Sequence, residues 1–492
     1  MNIINKFRLF LFLYLFSLYI ITIQGIQSGD NVFHYERTQN ILKNHSFSMP
    51  EGKYDFNKQP WLRCWMKEGK NGRIYLILPD GLSIASVPFT FFGNLIEKAG
   101  NYTMYEEKMN EAWANGNPTK MIYYLNILPS AFFSIIANSF LIALTVLIFF
   151  NFCYLLTNSL KKSFISSILL GNATILWVYS SGFWTQPIVT FFMFTAFYFL
   201  FRFHKEDNIK YLLLAGFFAG YSYISRYASL LSLPFFILYL IWSRWKEKKL
   251  IVKPLAVFSI PLFIILLIQM YWNFYRFGSP FDLGFNKLFF SSKFLVPYLT
   301  SFLFSPSRSI FVFSPPLILG LLGLKKFFKE HKFEFISIAG ISLVFLLFYS
   351  LFGFGISITG TAWGPRYLIT ITPFLLLPSC LFIDGSYWKR IITHVTLIVG
   401  FFIQLIMALQ PLQGEEINKY YGDLKGAIGT PLFKTEIIPQ VKMLFKGGFH
   451  LWMFDSTPKL IVGLILLGIS LYTLRYCISE VRKFGEEQTI ST

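Results

Sequence analysis

Apolar runs long enough to cross a bilayer recur along the whole chain, and nothing else constrains its fold as strongly. A helical span needs about 20 mainly apolar residues. Such runs lie at 7–26, 125–157, 163–182, 184–202, 209–225, 227–243, 252–274, 309–325, 334–355, 366–384, 390–410 and 458–477, several interrupted by Gly or Pro. Composition agrees. Of 492 residues 54% are hydrophobic and 20% aromatic, and the 14% that are charged compare with roughly 25% in an average soluble chain. A soluble fold of this length needs far more polar surface. The expectation is an all-α polytopic membrane protein with about twelve transmembrane helices. Residues 1–484 form one transmembrane domain, and 485–492 a cytoplasmic tail.

Lys and Arg total 44 against 25 acidic residues, a net charge of +19. Nucleic-acid binding is one reading of such a balance, but membrane proteins keep Lys and Arg in their cytoplasmic loops. Here the basic clusters fall at alternate ends of the runs. They are Lys6 with Arg8, Lys161 with Lys162, Arg202 to Lys210, Arg244 to Lys253, Lys325 to Lys332, Lys389 with Arg390, and Arg475 to Lys483. The pattern places both termini inside and three long segments outside: 27–124, 275–308 and 411–457. No nucleic-acid partner is expected, and the chemistry belongs on the outer face of a membrane, read as a bacterial inner membrane. Leu9–Ile23, behind Lys6 and Arg8, has the form of a signal peptide, but no small-x-small cleavage site follows, so it reads as a retained span. Gly81–Lys98 is apolar and helix-like. Counting it as a span inverts the downstream charge pattern, so it is expected to lie at the interface.

The four Cys have no disulfide or metal spacing, and the His residues are scattered. There is no phosphate-binding Walker loop, no dinucleotide Gly motif and no Gly-x-Ser-x-Gly elbow. No repeat relates the halves, which weighs against a secondary transporter.

Three groups of outer residues are candidates for chemistry. Asp30, just beyond the first span, has the chemistry of a general base where a lipid headgroup meets a polar acceptor. Gly29 before it would permit a sharp turn, and a helix-capping role is the alternative. Arg226, Arg308 and Arg366 each open or close an outer turn. A guanidinium binds phosphate oxygens as a planar fork, though outer arginines also reach toward lipid phosphates. Trp177, Tyr179, Trp184, Gln186 and Trp363 suit either sugar faces or the membrane interface. Glu36, Asp55, Asp80, Asp282, Glu415, Glu416 and Asp423 read mostly as solvated loop carboxylates.

Several segments together resemble a known family. They are Ser28-Gly29-Asp30 with Tyr35-Glu36-Arg37-Thr38, Asn71-Gly72-Arg73-Ile74-Tyr75 through Gly81-Leu82-Ser83 and Pro88, and Trp177-Val178-Tyr179-Ser180 with Gln186-Pro187. Tyr275-Arg276-Phe277-Gly278-Ser279-Pro280 and Gly447-Gly448 to Leu451-Trp452 also match. The most specific are Ser305-Pro306-Ser307-Arg308 with Ser314-Pro315, and Trp363-Gly364-Pro365-Arg366-Tyr367. On these the chain resembles the GT-C superfamily of multi-pass glycosyltransferases. Within it the likeness is to the dolichyl-phosphate-mannose-protein mannosyltransferase-like proteins of bacteria and archaea. Asn31 stands where their pattern has Glu, and Gln186 where their turn has Glu.

The resemblance implies a sugar donor carried on a polyprenyl phosphate and a glycan, lipid or protein acceptor, in contact with membrane lipids. It maps the catalytic base onto Asp30. Arg366, Arg308 and Arg226 then hold the carrier phosphate, and Tyr35, Tyr75, Trp184, Gln186 and Trp363 line the substrate region. The transfer is expected to be inverting. No cofactor is certain, and a divalent metal stays open because superfamily members differ. The alternatives are a carrier or flippase for a lipid-linked sugar, and a relative without activity.

Overall fold

The computed structural model of the protein describes residues 3–26, 29–246, 249–285, 290–306, 308–352, 363–383, 386–409 and 457–490, the side chains of 118–119, 457–458 and 485–490 excepted. The third outer segment, with Glu415, Glu416, Asp423 and the Gly447–Trp452 motif, lies outside the described residues. So do Ser28 and Ser307.

Among the described residues eight helices are long and apolar enough to cross a membrane. They are Ile3–Ile21, Pro129–Thr157, Thr185–Glu206, Tyr227–Lys246, Val252–Phe277, Lys332–Leu351, Tyr387–Ala408 and Lys459–Phe484. Each coincides with an expected run. The other four runs are shorter or broken, so a count of twelve full-length spans is not reached. Leu160–Ala173 stops at an extended Thr174 before the short helix Leu176–Ser180. Pro315 and Pro316 separate Ile310–Phe313 from Leu317–Glu330. Pro373 and Pro378 mark the divisions within 366–382, since proline removes a helix donor and clashes with the preceding turn. Lys210–Ser225 has 16 residues, about 24 Å at 1.5 Å per residue, short of a hydrocarbon core of about 30 Å.

The broken elements lie inside the bundle. From Arg366 to Phe382 every residue except Leu375 is buried. The long outlying helices present their apolar faces outward, as Phe263, Leu267, Ile268 and Tyr271 do on Val252–Phe277. At the opposite end from Asp30, Arg244 and Lys249 both pair with Asp207, at 2.6 and 3.2 Å.

The first long segment is folded. The helix Gly29–Asn44 leads to a two-stranded antiparallel ladder, Met66–Glu68 with Ile74–Leu76, in the register Lys67 opposite Tyr75. Gly81–Ala99 is the expected amphipathic helix. One side packs on Pro129–Thr157 through the Thr90–Ser134 hydroxyl pair (2.6 Å) and the Phe89–Phe140 rings. The other exposes Phe91, Phe92, Leu95 and Ile96.

A buried ionic cluster ties this segment to the bundle. Arg37, fully buried, donates to Asp80 (2.6 Å), to the carbonyls of Leu78 and Pro79 and to Ser83. Trp272 donates to the other Asp80 oxygen at 3.1 Å, and Arg276 approaches it at 4.0 Å. Asp80 and Glu36 are therefore not solvated loop carboxylates. Burying a charge is tolerated only when it is paired, and Glu36 has Lys53 at 2.6 Å. His34 Nδ1 accepts from Arg37 Nη2 at 3.0 Å. Burial, with the Arg37 charge beside it, holds its pKa well below the usual histidine range.

Candidate active site

The chain is steered out of its first span by polar contacts. The Gln24 N–H donates to the Ser181 carbonyl at 2.9 Å, and the Asn126 side chain brackets Ile26, accepting from its N–H (2.7 Å) and donating to its carbonyl (3.0 Å). Gly25, at φ +92, passes so close to Asn126 that a Cβ would lie within 2.8–2.9 Å of its amide. Gly29 has no such role. It is the first residue of a helix, does not have positive φ, and a Cβ there would meet only the Phe33 ring at 3.8 Å. Asp30 lies in the first helical turn, where a carboxylate complements the helix dipole. Its side chain is 30% exposed. Oδ1 accepts from Trp65 Nε1 at 2.5 Å, and Oδ2 is 3.9 Å from Arg366 Nη2.

Arg366 reaches Asp30 because the Trp363–Pro365 segment turns sharply. Gly364 adopts φ +57, and a Cβ would lie 2.7 Å from the Phe313 ring. The Tyr179 hydroxyl donates to the Trp363 carbonyl at 2.8 Å, and Arg308 Nη1 to the Gly364 carbonyl at 3.3 Å. The Arg366 guanidinium lies over the Trp184 and Tyr367 rings at 5.2 and 5.1 Å. Trp184 is held by Asn138, whose amide donates to the Gly182 and Trp184 carbonyls at 2.7 and 2.9 Å. Arg226 lies over Tyr367 at 4.5 Å and donates to the Tyr349 hydroxyl at 2.8 Å. Tyr349 and Tyr367 stack at 5.0 Å.

Seven of the residues singled out from sequence thus form one connected cluster: Asp30, Arg366, Arg308, Arg226, Tyr179, Trp184 and Trp363. Gln186 is buried two residues from Trp184. Tyr35 and Tyr75 are engaged elsewhere. The Tyr35 hydroxyl pairs with Ser130 (2.5 Å) and accepts from Gln39 (2.8 Å). Tyr75 accepts from Asn71 and lines a separate cavity of about 650 Å³ with Trp272 and Arg73. Sequence reasoning missed Trp65, which nothing distinguishes among eleven Trp residues, and the part played by Tyr349, buried in the middle of an apolar run.

The cluster holds three guanidiniums and one carboxylate. It also holds three buried N–H donors, Arg366 Nε, Trp184 Nε1 and Trp363 Nε1, with no hydrogen-bond partner among the described residues. Buried polar groups are almost always paired, so unpaired donors beside surplus positive charge suit an anionic ligand that only accepts. Among the described residues no group of three or more His, Cys, Asp or Glu comes together, so no metal ligand set is assigned.

Residues 123–272, less than a third of the chain, match the family model described as dolichyl-phosphate-mannose-protein mannosyltransferase. No curated protein matches. Among solved structures, ArnT from Cupriavidus metallidurans in the apo state aligns over 96% of this chain and 75% of its own, at 11% identity and a TM-score of 0.50. The same protein bound to undecaprenyl phosphate aligns over 97% and 77%, at 10% identity and a TM-score of 0.47. In a matched segment and in fold, this chain is similar to the GT-C membrane glycosyltransferases, the resemblance its motifs carry.

Proposed function

We propose that the chain transfers a sugar from a polyprenyl-phosphate carrier to an acceptor hydroxyl, on the outer face of a bacterial inner membrane, with inversion at the anomeric carbon. The observation that carries this reading is the meeting of a partly exposed carboxylate with a guanidinium at 3.9 Å, amid three buried N–H donors that lack partners among the described residues. Asp30 takes the proton of the acceptor hydroxyl as its oxygen bonds to the anomeric carbon. The bond from that carbon to the phosphate oxygen breaks, and polyprenyl phosphate leaves with the electron pair. Arg366 is placed to exchange its weak contact with Asp30 for the phosphate, with Arg308 and Arg226 adding positive charge. Fixed cations stabilise developing negative charge best where water is excluded. Trp184 and Trp363 border the sugar, with Gln186 behind them. Tyr75 supports the loop fold, and Tyr35 lines a groove along the helix Gly29–Asn44.

The test is transfer from a panel of radiolabelled polyprenyl-phosphate sugars to cell-envelope acceptors, in membranes holding the wild-type protein or Asp30→Asn. Asparagine keeps an oxygen to accept from Trp65 but cannot take the proton. The expected loss is about 10²- to 10⁴-fold, the usual contribution of a general base. An Asp30→Asn protein as active as the wild type sinks the mechanism. Lipid-sugar binding without transfer by either protein favours a carrier.

A further inference from the structure

A groove of about 1320 Å³ runs along the helix whose first turn carries Asp30, although neither Asp30 nor another residue of the cluster lines it. It starts at Gly29 and follows the helix Gly29–Asn44, with the 50–61 segment and the helix Thr103–Ala114 as its other walls. It is larger than the roughly 300–1,000 Å³ of ordinary small-molecule pockets, so it has room for an extended ligand. Its aromatic wall leads to the site. Trp61, half exposed, meets Trp113 at 6.0 Å and Trp65 at 5.9 Å, and Trp65 donates to Asp30.

We propose that this groove binds the acceptor, and that the acceptor is an uncharged oligosaccharide whose terminal hydroxyl points to Asp30. The inference rests on the transferase reading above. Its first support is unpaired acceptors. Glu36 is only 5% exposed and its Oε1 is held by Lys53, yet Oε2 has no partner among the described residues. Gln59 Oε1, also in the groove wall, is likewise buried and unpaired. A ligand that satisfies them must donate hydrogen bonds, as sugar hydroxyls do and phosphate or carboxylate groups do not. Around Arg366 the pattern is the opposite, with the Arg366 Nε, Trp184 Nε1 and Trp363 Nε1 donors lacking partners among the described residues. The second support is charge. Three lysines and four carboxylates line the groove, with no arginine, a balance that favours a neutral chain over an anionic one. The third is Trp61, a half-exposed ring backed by the buried Trp113, whose flat face suits the apolar side of a sugar ring.

Purified full-length protein in detergent, without donor lipid, would be titrated with mannopentaose, maltopentaose, cellopentaose and chitopentaose, following intrinsic tryptophan fluorescence. Saturable quenching by at least one sugar is expected. Trp61→Ala, a change at a half-exposed position, should weaken it about tenfold, and Glu36→Gln should also weaken it, while Trp245→Ala, at an exposed position away from the groove, should bind as the wild type does. Absence of saturable binding by all four sugars overturns the proposal. Preference for a Ser/Thr-rich peptide over the sugars, or indifference to both groove substitutions, does the same. Release of labelled sugar from the carrier is read separately. Binding without transfer counts against the transferase reading alone, and transfer without oligosaccharide binding against the groove alone.

Discussion

Replacing Arg366 by Lys keeps the positive charge and removes the planar fork. The guanidinium makes three kinds of contact: two ring faces at 5.2 and 5.1 Å, the Asp30 carboxylate at 3.9 Å, and the Tyr367 hydroxyl at 3.1 Å. An ammonium retains part of the ring attraction, and the pair with a 30% exposed carboxylate contributes little. The main loss is one of the two hydrogen bonds a fork makes to phosphate. A hydrogen bond to a charged group contributes about 1.5–3 kcal/mol. Allowing for residual ring contact, about 2–3 kcal/mol of transition-state stabilisation disappears, roughly 30- to 150-fold in rate. The assay is initial-rate transfer in proteoliposomes over a range of carrier-sugar concentrations, with thermal unfolding in detergent confirming the fold. The loss should fall mainly on kcat, because phosphate charge grows as the sugar departs. A folded Arg366→Lys protein within about threefold of wild type in kcat/KM would refute a phosphate-gripping role.

Trp65→Phe keeps the aromatic bulk but removes the donor that orients Asp30; kcat should fall about tenfold with KM little changed. Asp80→Asn leaves Arg37 and Arg276 buried without a counter-charge. Thermal unfolding should show a loss of about 3–5 kcal/mol, as for other broken buried pairs. His34 adds a pH dependence of known sign. Its folded pKa is depressed, so the unfolded chain takes up a proton that the folded one refuses. Stability should be full above about pH 6.5 and fall by about 1.4 kcal/mol per unit below it. His34→Gln should flatten that slope between about pH 7 and about pH 5; an unchanged slope places its origin in another group.

Hydropathy period and charge alternation made the bundle legible, because both are local properties of the chain. The three broken runs and the short one were read as full spans because hydropathy counts apolar residues regardless of helix length. Thr174 and the Pro315–Pro316 and Pro373–Pro378 pairs end helices inside protein that a bilayer would not tolerate at its surface. The cluster was partly visible, since Asp30, Trp184, Arg226, Arg308, Trp363 and Arg366 all adjoin turns on one side. What joins them was not. Trp65 meets Asp30 across 35 residues and Trp272 meets Asp80 across 192. Separations of that size leave no periodic trace, and a chain that is 20% aromatic conceals which rings matter. Asp80 and Glu36 were misjudged for a related reason: a carboxylate in a polar segment looks solvated until its cation is known.

The internal position of the broken helices bears on how the protein responds to its membrane. The Arg366–Phe382 segment is surrounded by other helices and almost wholly buried. Val252–Phe277, Tyr387–Ala408 and Lys459–Phe484, by contrast, have few buried residues along their apolar windows. A thicker or thinner bilayer therefore acts on these outlying helices, which adapt to mismatch by tilting. The depth of Arg366 is set by Trp184, Tyr367 and the Trp363–Pro365 turn. Changes in acyl-chain length should thus alter how the protein sorts and associates in the membrane well before they alter the height at which its reactive groups meet.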